Sequence, residues 1–157
     1  MAISSQLASQ FRTVQYGGNW TDVNLKDTLA GITWQQATTK VKDLNSIALL
    51  VHHMDHYVRA VMERMEDKPR TLTHEQSVTE PEIHSESDWQ VLKDRMWANG
   101  DRFAEMIEAF PEEKLGEVFM APEYGNGFRN IAGVIEHNHY HLGQIVVMKK
   151  LISALGS

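Results

Sequence analysis

Val134-Ile-Glu-His-Asn-His-Tyr-His-Leu-Gly-Gln-Ile-Val146 places three histidines within five positions of a segment otherwise made of helix-forming and apolar residues. It sits inside a longer pattern, Arg129 to Ala154, in which Ile131, Val134, Ile135, Leu142, Ile145, Met148 and Ile152 recur at helical spacing. The pattern predicts a final helix with one buried stripe. At about 100° per residue, with Ile131 at zero, the stripe centres at about −40°. His141 then falls at about −80°, His137 at about −120°, Gln144 at about −140° and His139 at about +80°. His141 belongs to the buried face, His137 to its edge, and His139 points elsewhere.

Working outward, Ile3, Leu7, Phe11 and Val14 predict a short amphipathic helix over Ser4 to Val14, ended by Tyr16-Gly-Gly-Asn19. Trp20 to Thr33 reads as an irregular connection that anchors Trp20 and Leu25 in the core. Trp34 to Met65 reads as one long helix, with a stripe of Ile47, Val51, Met54, Val58, Val61 and Met65. Pro69 stops it, and Thr71 to Ser87 is a polar linker. Ser85-Glu-Ser-Asp88 can cap a third helix, Glu86 to Phe110, which carries Trp89, Leu92, Met96, Phe103, Met106 and Ile107 and ends before Pro111. Leu115 to Gly127 is a second loop. The fold class is therefore all-α, and a four-helix bundle is the ordinary way to bury four such stripes.

The 157 residues fit a single domain, 1–157, large enough to bury a core without staples. The longest apolar run, Ile47 to Val51, is far short of the ~20 residues that span a bilayer, so no membrane association is expected. The first residues show neither a basic start nor an apolar leader stretch, and the expected location is cytoplasmic. The chain has no cysteine, which excludes disulfides, thiolate metal sites and a cysteine nucleophile; any metal site must use nitrogen or oxygen. The net charge is −6 with no cluster of Lys and Arg, so a nucleic-acid partner is not expected.

His137 and His141 are four residues apart, one turn, close enough for both imidazoles to reach one ion. A third ligand must come from another helix. Taking Ile47 as zero, the stripe of the second long helix centres at about −10°, with His52, His53 and His56 at about 140°, −120° and 180°. His53 is the least outward and shares its side with Leu50 and Tyr57. The alternative for such a core-edge histidine is a hydrogen-bonded structural residue. His52, His56, His74, His84 and His139 read as solvated surface. Glu63, Glu66, Glu105, Glu108, Glu112, Glu113 and Glu136 read as solvated faces, and no Gly-rich phosphate loop, G-x-S-x-G or H-E-x-x-H is present. The E-x-x-H arrangement of di-iron bundles is not repeated on two helices, which favours one mononuclear ion.

Asn45-Ser-Ile-Ala-Leu-Leu-Val-His-His53-Met resembles the second-helix motif of the DinB/YfiT-like metalloenzymes, and His137-Asn-His-Tyr-His141-Leu-Gly-Gln-Ile145 resembles their last-helix motif. The likeness extends over nearly the whole chain, and its register places the second-helix ligand at His53. It implies a four-helix bundle holding one divalent ion, usually nickel or zinc, through His53, His137 and His141, and frequently a homodimer. It also implies chemistry of the kind found in relatives: S-transfer with a low-molecular-weight thiol, or thiol-dependent isomerisation.

Three neutral imidazoles leave coordination positions open to water or substrate, the arrangement of a catalytic rather than a closed site. Gln144 is expected to orient a ligand or face substrate, Asn138 to orient a ligand, and Gly143 to allow close helix packing. No catalytic acid or base is identified. The functional expectation is a metal-dependent enzyme acting on a small molecule, with thiol S-transfer ahead of hydrolysis. The alternatives are a non-catalytic, stress-related bundle that binds a metal or ligand, and an interaction module whose histidines are structural.

Overall fold

The computed structural model describes residues 2–69, 71–119 and 121–155. Among these residues seven helices follow in order: α1 (Ile3–Tyr16), α2 (Leu25–Leu29), α3 (Trp34–Thr38), α4 (Ile47–Met65), α5 (His74–Ser77), α6 (Glu86–Glu108) and α7 (Gly127–Leu155). Two 3₁₀ turns, Glu112–Gly116 and Pro122–Tyr124, lie between α6 and α7. Extended structure among the described residues amounts to one isolated bridge, Val118 to Asn126.

The four long helices meet in a ring: α1 and α4 each pack on both α6 and α7. Their stripes fill two adjoining clusters. One joins Ile47, Leu50, Val51 and Met54 of α4 to Trp89, Leu92 and Met96 of α6 and to Leu142, Ile145 and Met148 of α7. The other joins Leu7, Ala8 and Phe11 of α1 to Phe103 and Ile107 of α6 and to Ile131 and Val134 of α7. Phe11 and Phe103 meet edge to face at 5.0 Å, a favoured aromatic geometry. The buried Trp89 satisfies its indole N–H by donating to the Ile32 carbonyl at 2.9 Å, which fastens the α2–α3 connection to α6.

Three sequence expectations require correction. The helix expected over Trp34 to Met65 is two helices separated by residues 39–46. Thr38 and Thr39 turn their hydroxyls back onto the carbonyls of Trp34 and Gln35, and Lys42 adopts φ of 52°, which no right-handed helix admits. Ser46 then restarts the helix by accepting the Leu49 N–H at 3.0 Å. Trp20, expected in the core, is fully exposed at 101%, whereas Leu25 is buried as expected. The reason is Asn19: its amide donates to the Thr13 and Val23 carbonyls while its Oδ1 accepts from the Thr21 N–H, and this side-chain-built turn holds Trp20 outward. The third correction concerns Gly143, since a Cβ there would meet nothing within 4 Å. Packing within the chain does not call for a glycine at that position.

The polar linker contains a helical turn of its own. Thr73 and Gln76 form a reciprocal capping box at the start of α5, and Thr33 and Gln36 form another at the start of α3. Both T-x-x-Q patterns were readable in the sequence. Along its course the linker is fastened to α4 by a Thr71–Glu63 hydrogen bond, by Tyr57 with His74, and by Ser46 with Glu80.

Candidate metal centre

α4 and α7 pack directly together, and His53 on α4 meets His137 and His141 on α7 at their contact. His137 Nε2 lies 3.1 Å from His53 Nε2 and 3.1 Å from His141 Nε2. One atom from each of the three residues falls within 4.8 Å of the other two. Two imidazole nitrogens bound at about 2.0–2.1 Å to one ion are about 2.8–3.4 Å apart for ligand angles between a right angle and a tetrahedral one. The observed 3.1 Å separations fall in that range.

The outer ring nitrogens fix the tautomers. His53 Nδ1 lies 3.0 Å from the Ser77 carbonyl, an acceptor, so Nδ1 carries the proton and donates. His141 Nδ1 lies 2.6 Å from Gln144 Oε1, also an acceptor, and donates in the same way. Both neutral rings therefore direct an Nε2 lone pair at His137. A single proton on His137 Nε2 is the most that three converging nitrogens can share, whereas a cation satisfies all three. The three residues can hold a divalent ion, each of two ligands being oriented by a carbonyl-type oxygen behind it.

Electrostatics agree with a site of neutral imidazoles. Burial, followed by the neighbouring His141 and His53, pushes the His137 pKa down to about 4. Burial also lowers His53 and His141, against the opposing hydrogen bonds from Ser77 and Gln144. Neutral imidazole is the ligating form, so these three nitrogens are available near neutral pH.

Gln144 lies behind His141, and its amide donates onward to the Tyr140 hydroxyl at 3.3 Å. It also lines a cavity of about 410 Å³ with Asp43, Leu50, Tyr140 and Met148. Asn138 is buried, its Oδ1 has no partner among the described residues, and no hydrogen bond links it to the imidazoles. His139 turns away, into a groove beside Trp20 and Val146. Tyr57 is a further neighbour that helix spacing alone did not single out: its ring lies 5.0 Å from that of His53 and 4.8 Å from that of His137, and its hydroxyl reaches His74 Nδ1 at 3.1 Å. The spacing His53 to Tyr57, one helical turn, was the signal that could have found it.

His56 overturns another expectation. Its position on the helix predicts solvent, yet it is only 3% exposed. The wheel located it correctly on the face away from the bundle core, but the linker between α4 and α6 lies over that face, as the cavity residues Leu72, Gln76 and Pro81 opposite His56 show.

No match to the chain was found among curated proteins or among solved structures. The described helices are all too short or too polar to cross a membrane. Residues 19–145, a span that contains His53, His137 and His141 and ends on the Gly-Gln-Ile tail of the last-helix motif, match the sequence model of the DinB superfamily, and the chain belongs to that family.

Proposed function

We propose that the protein binds one divalent ion, nickel or zinc, through His53, His137 and His141, and uses it in thiol-dependent transfer or in hydrolysis on a small molecule. The observation that carries this reading is the convergence of three Nε2 atoms, with two of the rings held by Nδ1–H donation to Ser77 and Gln144. Three protein ligands leave room for water or substrate. A bound divalent ion acidifies a coordinated water or thiol toward neutrality. The chain's own contribution is to keep the three imidazoles neutral, to fix their tautomers, and to present Gln144 between His141 and the 410 Å³ cavity, where it can contact a bound molecule.

Metal analysis of protein purified without an affinity tag tests the site: about one ion per chain is expected. Absence of any ion, or unchanged occupancy in His137→Ala, would sink it. For the chemistry, the metal-loaded protein is screened with small thiols and electrophiles, and turnover that survives loss of His53 excludes the proposed role.

One observation favours a second reading, metal binding without turnover. Among the described residues the cluster that can hold an ion is purely histidine, with no carboxylate in it to serve as general base. A protein that binds metal stoichiometrically and shows no turnover across the thiol and electrophile panel belongs to that class. We place the protein in the cytoplasm as a single domain, and as a homodimer formed through α7, on which Tyr140, Val147, Leu151 and Leu155 remain exposed at helical spacing. A monomeric mass by light scattering excludes that dimer.

A further inference from the structure

We propose a second binding site, separate from the three-histidine centre, that takes a small molecule bearing a carboxylate or phosphate group. It lies between α4 and the linker that follows it, in a cavity of about 380 Å³ lined by His52, His56, Arg59, Gln76, Thr79 and Glu80 among others. That volume is within the range of small-ligand pockets, roughly 300–1,000 Å³.

The donors facing the cavity are not used up inside the protein. His56 is 3% exposed and packs against the rings of His52 and Tyr57. Its nitrogens are not among the atoms sealed from solvent without a partner, and its ring lines the cavity. Arg59 has one ion pair among the described residues, a long 4.0 Å contact to Asp55 Oδ2. The Asp55 carboxylate is already satisfied elsewhere, accepting from Arg95 Nε at 2.9 Å and from Asn99 Nδ2 at 2.7 Å. Gln76 spends its Oε1 on the Thr73 N–H, which leaves its amide N–H groups to the cavity. The anion in the lining, Glu80, is bound by Ser46 and by Lys40 at 3.3 Å.

What converges is therefore a set of donors: a guanidinium, an amide and an imidazole N–H. Around them Lys40, Arg59 and Arg95 balance the carboxylates of Asp55, Glu63 and Glu80, and each of those carboxylates already accepts a hydrogen bond elsewhere. Arg59 supplies a planar fork suited to a carboxylate or phosphate oxyanion. His52 does not compete for the ligand, since its Nε2–H donates to the Gln76 carbonyl at 2.9 Å and its Nδ1 faces Arg95 Nη2 at 3.4 Å. A molecule held between Arg59, His56 and Gln76 ties the linker to α4 beside the carbonyls of Gln76 and Ser77, which orient His52 and His53.

The test is titration of the full chain with inorganic phosphate in one arm and succinate in the other, followed by calorimetry and by side-chain NMR of the histidines. Binding in the millimolar range or tighter is expected in at least one arm, with a perturbed His56 resonance, and the arm that responds identifies the oxyanion. Arg59→Gln, at a partly exposed position, should fold normally and weaken binding about tenfold or more, the factor carried by a lost charge-assisted hydrogen bond. His137→Ala should leave the anion affinity unchanged while removing the metal ligand set. The proposal is overturned if neither anion binds, if Arg59→Gln binds as well as the parent, or if His137→Ala abolishes binding, which would assign the anion to the three-histidine centre.

Discussion

His52 and His53 are adjacent in sequence and donate to adjacent carbonyls of the linker, Gln76 and Ser77, yet they serve different clusters. His53 turns its other nitrogen to His137 and His141, whereas His52 turns its other nitrogen to Arg95 on α6. In the inner cluster three ring nitrogens converge, and none of the salt bridges among the described residues involves them. In the outer cluster cations and donors converge on a cavity. One helix thus carries an arrangement suited to a metal ion on one side and an arrangement suited to an anion on the other. The difference arises from the neighbour each side faces, a helix bearing two more imidazoles or a polar linker with arginines nearby.

The largest expected effect separates the two clusters outright. His137→Ala should take bound metal from about one ion per chain to none, while His52→Gln should leave the stoichiometry intact, as read by elemental analysis. Equal losses in both variants would mean that the two clusters are one site. Within the inner cluster, Gln144→Ala removes the oxygen that holds the His141 tautomer, and metal affinity measured by chelator competition should fall about 10–100-fold.

Lowering the pH acts on the inner cluster as well. His137 titrates at about 4 in the folded chain against an ordinary value of 6.5, so the unfolded chain takes up the proton first. This stability contribution is complete above about pH 6.5 and is lost as the pH falls from there toward about 4. Metal-free protein should therefore melt at progressively lower temperature across that window, and His137→Ala should flatten the dependence.

Asp55→Ala tests the support behind the outer cluster. Asp55 is 1% exposed and accepts from Arg95 and Asn99, so its removal should cost about 2 kcal/mol in chemical denaturation while metal stoichiometry is retained. The smallest effect belongs to Trp20→Ala, within about 0.5 kcal/mol, because the side chain contributes no burial within the chain. A larger loss would show that the Asn19 turn presses the indole against something.

Periodicity made the four long helices legible because their stripes run for several turns and each buries one face. It failed at residues 39–46, where a local choice by Thr38, Thr39 and Ser46 outweighs a pattern that continues in register on both sides. The histidine pair on α7 was equally legible, since the spacing of His137 and His141 follows from helix geometry alone, and the family motif agreed with the wheel on His53. Helical angles had no means of predicting the burial of His56, because a wheel reports which way a side chain points and says nothing of a linker laid over that side.

By itself, then, the sequence determined the all-α class, the facing of the long helices, the exclusion of cysteine ligands and nucleophiles, and two imidazoles one turn apart. These follow from interactions within a few residues along the chain, where spacing is geometry. Tertiary structure alone decided that His53 comes within 3.1 Å of His137, that Ser77 and Gln144 set the tautomers of the two flanking rings, and that Trp20 stands in solvent while His56 does not. Each of those depends on which distant segment lies against a given face, and burial and hydrogen-bond partners are properties of that pairing.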